Sequence, residues 1–592
     1  MSEQALANLP EWDLSDLYPA RDSAELKADL QNAADDARAF QEKYQGKLGE
    51  LDAAGFAKTI AEYEAMDETL GKIMSYAYLV YASDMADPEI GKFFQSLQEK
   101  VNDIATDLLF YTLEINKLDD RLINGFYDTN EEVRRYRPWV DNIRVLKPYQ
   151  LSDELEKLLH EKSVSGRSSW VRLFDETMAG LKFEVNGKTM ASQEVLHLLS
   201  DADGAVRKAA AKSLGKVFGE NIRLFALVTN TLAKDKAIED EWRSAESPMT
   251  MRHLSNQVEP EVVAALTDAV KASYPSLSHR YYKLKAKWLG QEKLDYWDRN
   301  APLPEDDDRL ISWEEARDTV LEAYGRFSPE LADLGREFFD KPWIDASVRP
   351  GKAPGAFAHP TVPSAHPYLL VNYQGKVRDV MTLAHELGHG VHQVLAGPQG
   401  ALLSDTPLTL AETASVFGEQ LTFRALLEKE TDPVRRRVML ASKVEDMINT
   451  VVRQIAFYEF EVRLHTARRE EELSPDQIGE IWMAVQKESL GPAIRLHDEY
   501  QYFWSYIPHF IHSPFYVYAY AFGDCLVNAL YAVYQDSDKG FQAKYFDMLK
   551  AGGTLRHKEL LAPFGLDASD PSFWSKGLSV IEGFIDELEE LS

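Results

Sequence analysis

Val377-Arg-Asp-Val-Met-Thr-Leu-Ala-His385-Glu-Leu-Gly-His389-Gly-Val-His392-Gln-Val-Leu395 is the stretch on which the reading of this chain turns. Gly375 precedes it and Gly397-Pro398 follows it, a start and a stop that predict one helix over 377–395. Residues four apart on a helix stand one above the other, so His385 and His389 point to one spot. Two imidazoles on one face, each able to reach a metal at ~2.0–2.1 Å, suit zinc. Glu386 is turned about a hundred degrees away, too far round to ligate but well placed to act as a base on a water beside the ion. With 14 His in 592 residues, chance gives on the order of 0.03 His-Glu-x-x-His patterns per chain of this composition, so the match favours function. The competing account is a pair of core histidines bonded to carbonyls, with a surface glutamate between them.

A catalytic zinc takes three protein ligands and keeps one open position. No cysteine lies nearby, so the third ligand is sought on the helix that returns after the 397–406 loop, read as 408–428. Glu412 stands in its first turns and is the candidate. Glu419, two turns further on the same face, would either bond a ligand's second nitrogen or end a salt bridge. His392, three residues beyond His389, is a rival ligand.

A third cluster reads His509-Phe-Ile-His512-Ser-Pro-Phe-Tyr516-Val-Tyr518-Ala-Tyr520. Ser513 and Pro514 have the character of a cap and first turn, which would set Tyr516 and Tyr520 on one helical face with His512 just ahead. Phenol and imidazole donors aimed at a developing oxyanion are what a zinc hydrolase needs besides its metal. An aromatic core stripe is the alternative.

Outside these segments the chain reads as amphipathic helix, and the fold class is mainly α. Phe56, Ile60, Tyr63, Leu70, Ile73, Met74 and Leu79 mark one face at three-and-four spacing. Asp87 and Pro88 open the next helix, and similar patterns fill 22–48, 205–242, 258–287, 313–339, 435–466 and 540–551. Strand signals are local: an Asn186-Gly187 pair between short β-prone arms predicts a hairpin over 182–190, and Tyr368-Leu-Leu-Val-Asn-Tyr-Gln374 predicts a strand leading into the histidine helix. The proline- and glycine-rich 341–367 reads as loop, and the acidic 302–308 stretch as a solvated turn.

Composition narrows the functional classes. Lys+Arg 65 against Asp+Glu 96 leaves a net charge of −31, which repels phosphate backbones and anionic membranes; neither nucleic acid nor membrane is an expected partner. Residues 515–534 approach the length of a membrane span, but Asp524, Asn528 and the tyrosines make them a buried helix beside a polar cavity. One cysteine, Cys525, excludes an intrachain disulfide and fits a reducing compartment, and the N-terminal residues lack the pattern of an export signal, so a cytoplasmic location is expected.

Taken together, His385-Glu-Leu-Gly-His389-Gly-Val-His392, Leu410-Ala-Glu412-Thr-Ala-Ser415 and the His512–Tyr520 segment resemble the thimet-oligopeptidase-like zinc metallopeptidases, and within them the bacterial oligoendopeptidase F branch. The Gly355-Ala-Phe357 turn is similar as well, and the stretch near 115–185 resembles the additional N-terminal domain of that branch. The resemblance implies a large helical body with a deep substrate channel and a small β element beside the zinc helix. Its domains would be an N-terminal helical region over 1–114, an oligoendopeptidase F-type domain over 115–200 and a catalytic domain over 201–592. It implies one Zn2+ per chain on His385, His389 and Glu412, Glu386 as general base, His512, Tyr516 and Tyr520 on the substrate, and oligopeptides cleaved at internal bonds. The glycine-rich loop of the animal enzymes is missing. Removal of C-terminal dipeptides on the same fold, or a di-iron carboxylate site using Glu386…His389 and Glu194…His197, are the alternatives.

Overall fold

Helix follows wherever the apolar three-and-four spacing runs, because that spacing gives each segment one face to bury. The computed structural model describes residues 9–163, 165–303, 310–536 and 540–591 and is mainly α. Ala53–Ser83 and Pro88–Lys117 form as read, the second with Pro88 in its first turn and the Asp87 carboxylate accepting the Glu89 N–H at 2.8 Å. Three of the longer predicted segments are each two helices. Residues 258–287 form Pro260–Ala272 and Ser278–Trp288; 313–339 form Trp313–Phe327 and Pro329–Asp340; 435–466 form Pro433–Thr450 and Val452–Glu470. Ser328 before Pro329 is extended, as a residue before proline prefers, so the second of these breaks has a local cause.

The hairpin pairs Phe183–Val185 with Lys188–Met190, and Asn186 and Gly187 both take positive φ (50° and 78°), the two-residue turn that matches strand twist. Residues 304–308 of the acidic stretch lie outside the described residues.

The chain divides into two compact units, each gathered from three stretches. The first comprises Met1–Pro148, Asp308–Lys429 and Ser537–Gly565; the second comprises Tyr149–Asp307, Glu430–Asp536 and Leu566–Ser592.

In the first unit the region expected to be loop, 341–367, contributes two strands. β1 (Ile344–Asp345) and β2 (Phe357–His359) flank β3 (Tyr368–Leu370), β1 in parallel and β2 antiparallel with Ala358 opposite Leu369. Two- and three-residue strands are too short to display an alternation, which is why the sequence hides them. β3 is also shorter than the predicted 368–374 and is fully buried, with a neighbour on each side. It has no free edge and cannot take a further strand; β1 and β2 are the outer strands. Beneath the sheet Lys352 donates to the carbonyls of Ser347 and Val371, both at 2.7 Å, and pairs with Asp345 at 2.8 Å. Both side chains are wholly buried, and Arg349 takes the second Asp345 oxygen at 2.6 Å.

α1 (Val377–Ala396) follows, then α2 (Ser415–Lys429). The helix expected over 408–428 is broken: Leu408–Ala411 makes one turn, and Glu412–Ala414 are a turn before α2 starts. α1 and α2 touch backbone to backbone at Gly388, where an added Cβ would stand 2.5 Å from the Ala414 oxygen and 2.6 Å from the Ser415 Cα. Only glycine permits that approach.

In the second unit α3 (Val452–Glu470) packs against α4 (Tyr518–Asp536). α4 is the apolar stretch at 515–534, starting later than predicted; Asn528 donates to Asp524 at 2.9 Å within it, and both are buried. Among the described residues no helix is long and apolar enough to cross a membrane.

Candidate active site

His385 and His389 stand one turn apart on α1 with ring centroids 4.9 Å apart and planes at 82°. The broken return helix brings Glu412 to them. Its Oε2 lies 3.3 Å from His385 Nε2 and 3.6 Å from His389 Nε2, so one carboxylate oxygen faces both rings. These three side chains are the one group of three or more metal-ligating residues found among the described residues, with all three ligand atoms within 4.8 Å of one another. The donor set of two imidazoles and a carboxylate suits a divalent metal of zinc type.

Each donor is held from behind. His385 Nδ1 meets Glu419 Oε2 at 3.3 Å, His389 makes a backbone hydrogen bond to Ala411, and Ser415 Oγ donates to Glu412 Oε2 at 2.7 Å. Such partners fix ring orientation and tautomer. Burial opposes charge on His385, but the Glu419 hydrogen bond and the charges of Glu412, Glu419 and Glu386 outweigh it and raise its pKa. Burial dominates at His389 and lowers it, which leaves a neutral ring able to ligate.

Glu386 is 7 % exposed. Burial pushes its carboxyl up to about 7, with Glu412 adding to the rise while His385 and a hydrogen bond from the Ala358 backbone oppose it. A carboxyl poised near neutrality can both take and give a proton. Ala358 is on β2, and its register partner Leu369 gives its N–H to Trp343 on the opposite side of β3. Ala358 therefore turns its own backbone groups outward, toward α1, where its carbonyl also meets Gln393 Nε2 at 3.4 Å.

His392 does not join the group. Its Nε2 meets Thr406 Oγ1 at 3.4 Å, and burial lowers its pKa to about 4. A cavity of about 640 Å3 in the first unit is bordered by His389, His392, Gln393, Thr361 and Asp405. Glu194, half of the second Glu-x-x-His pair, accepts the Ala191 N–H at 2.8 Å as a helix cap, and neither it nor His197 belongs to a ligand group.

The third cluster is organised differently from the sequence reading. His509–His512 is a single turn and α4 starts at Tyr518, so Ser513 and Pro514 lie in a link between the two and cap nothing. Tyr516 is off the helix, yet its ring still meets Tyr520 edge-on at 5.3 Å. His509 joins them, stacked on Tyr516 at 6.0 Å with its Nε2 3.3 Å from the Tyr520 hydroxyl. His512 is turned to Asp175, 2.8 Å from its Oδ1. Tyr518 points inward, where Asn256 donates to its hydroxyl at 2.9 Å. Asp175, Ala358 and Gln393 carried no sequence signal; a solvent-range acid and a strand edge look ordinary until the fold sets them beside a histidine or a glutamate.

The profile of peptidase family M3 matches residues 197–580, and that of an oligopeptidase F domain matches 114–183. The chain belongs to peptidase family M3. Within the family it falls in the oligoendopeptidase F branch. Oligopeptidase PepF of Bacillus subtilis (strain 168) is 28% identical over 98% of this chain and 87% of its own length. The oligoendopeptidase F homolog of Lactococcus lactis subsp. lactis (strain IL1403) is 26% identical over 98% of this chain and 97% of its own. Among solved structures, a putative peptidase from Chlamydophila abortus superposes with a TM-score of 0.86 at 22% identity, covering 98% of both chains. Oligoendopeptidase F from Enterococcus faecium does so at 0.68 and 23%, covering 96% of this chain and 99% of that one. Family membership makes this protein a peptidase, implies oligopeptide substrates and implies a metal cofactor, for which His385, His389 and Glu412 are the residues able to serve.

Proposed function

We propose that this peptidase is a zinc-dependent oligopeptidase that hydrolyses internal bonds of short peptides, holds one Zn2+ on His385, His389 and Glu412, and works in the cytoplasm. The observation that carries the reading is the convergence of these three side chains, each with an outer hydrogen bond, next to a buried carboxyl on the same helix. Zinc, when bound there, supplies Lewis-acid polarisation of the scissile carbonyl and a water of lowered pKa.

The chain's own residues do the rest. Glu386 takes the proton of the attacking water and delivers it to the leaving amine, a transfer suited to a carboxyl poised near 7. Ala358 on β2 gives its N–H to Glu386 and its carbonyl accepts from Gln393 Nε2, so β2 steadies the base on α1. Tyr516 and Tyr520, together with His509 and with His512 oriented by Asp175, are hydrogen-bond donors for the tetrahedral oxyanion.

The test is a set of internally quenched peptides of several lengths assayed with zinc-loaded and chelator-treated protein, with products read by mass spectrometry. Chelator-sensitive cleavage within the peptides is expected. Products that are solely C-terminal dipeptides would replace the endopeptidase reading, and cleavage that survives complete removal of metal would end it.

A further inference from the structure

One link in the second unit runs against its own sterics. Phe515, between the His509–His512 turn and α4, has φ +61°, a conformation that side chains with a Cβ avoid and that is an outlier for a ring of this size. Its N–H donates to Glu461 Oε1 at 2.8 Å, and Glu461 reaches it from α3 with 1 % of its surface exposed. Two arginines hold the residues on either side. Arg252 donates to the Pro514 carbonyl at 3.1 Å while its guanidinium lies 5.7 Å from the Tyr516 ring, and Arg167 donates to the carbonyls of Ile511 at 3.1 Å and His512 at 2.9 Å.

Directional bonds matter here because packing covers only part of the link. The Phe515 ring packs against His465 at 4.7 Å, but a cavity of about 320 Å3 is bordered by Arg167, Arg252, Glu461, His465 and Phe515. A strained turn with open volume at its back relaxes into that volume once its hydrogen bond is lost. Burial pushes the Glu461 carboxyl well above its usual range, against the Phe515 N–H bond and the charge of Arg252, and its Oε1 is the acceptor for that N–H. Glutamine presents the same acceptor; leucine presents none.

We propose that Glu461 is a positioning residue for peptide hydrolysis, its hydrogen bond to the Phe515 N–H holding the 511–520 segment in the strained turn that sets Tyr516 edge-on to Tyr520. This rests on the reading of those tyrosines as donors. A donor displaced from the oxyanion weakens the transition state and leaves ground-state binding nearly unchanged, so the loss falls on kcat and spares KM.

The experiment uses the zinc-loaded full chain and a quenched peptide substrate. Glu461→Leu is expected to lower kcat at least tenfold with KM within threefold, while zinc content and unfolding midpoint stay near those of the wild type. Glu461→Gln is expected to restore kcat to within twofold. Wild-type kcat in Glu461→Leu, a loss confined to KM, or equal defects in the Leu and Gln variants would each overturn the proposal. Should Glu461→Leu fail to fold, Arg252→Met, which removes the bond to Pro514, gives the same reading: kcat falls, or the proposal is wrong. Tyr516→Phe and Tyr520→Phe separate the two layers. If both keep wild-type kcat, the donor reading falls and the positioning role with it; if they lose it and Glu461→Leu does not, only the positioning role falls.

Discussion

Gly388→Ala is the substitution whose consequence the structure lets one work out in distance. The new Cβ would stand 2.5 Å from the Ala414 oxygen and 2.6 Å from the Ser415 Cα, and ordinary contact begins at 3.4 Å. Both obstacles are backbone, so no rotamer relieves them, and α1 and the start of α2 must separate by about 0.9 Å. Overpacking of this kind costs roughly 1–3 kcal/mol. Glu412 is two residues before Ala414, so the same shift carries its carboxylate away from His385 and His389. Metal–ligand distances tolerate only about 0.2 Å, and disturbing the support of a ligand costs roughly 10–100-fold in metal affinity. Urea unfolding of chelator-treated protein reads the first effect, and equilibrium dialysis against a competing chelator reads the second. The variant is expected to lose stability even without metal and to release zinc at least tenfold more readily. Wild-type unfolding and wild-type zinc retention together would refute the claim that backbone contact at Gly388 sets the ligand geometry.

Glu386→Gln is expected to retain zinc and lose turnover by about 10²–10⁴-fold, the range of general acid–base catalysis, in a steady-state peptide assay; turnover near wild type removes Glu386 as the base. Glu412→Ala is expected to lower zinc occupancy by elemental analysis, whereas full occupancy would move the third ligand elsewhere. Asp345→Asn leaves Lys352 charged and wholly buried, and the cost is expected to be about 3–5 kcal/mol in chemical denaturation; a change under 1 kcal/mol contradicts the role given to that pair. Burial lowers His465 from 6.5 to about 3, so its folded state binds fewer protons than its unfolded state. Stability present above pH 6.5 is then lost as pH falls toward 3, at about 1.4 kcal/mol per pH unit, and His465→Gln should flatten the acid side of the stability profile by that slope.

How far the sequence reached depends on what kind of information each feature needs. α1 was legible because it is local: its apolar spacing, its glycine boundaries and the four-residue separation of two histidines all lie within one segment. β1 and β2 were not, because strands of two and three residues exist only through their partners in β3. The turn at Glu412–Ala414 interrupts what reads as one amphipathic helix, and nothing nearby announces it; it falls where α1 comes into backbone contact at Gly388. Ser513-Pro514 has the composition of a helix cap, but Glu461 and two arginines from distant segments draw those residues into a strained link instead.

By itself the sequence determined the helical class, the acidic composition, and the pair of imidazoles with an adjacent carboxylate, since each follows from composition or from helical periodicity. Only the tertiary structure decided that one Glu412 oxygen faces both histidines, which backbone lies beside Glu386, and which histidine keeps company with the tyrosines. Those depend on segments tens or hundreds of residues apart, and their meeting is fixed by packing, which periodicity does not encode.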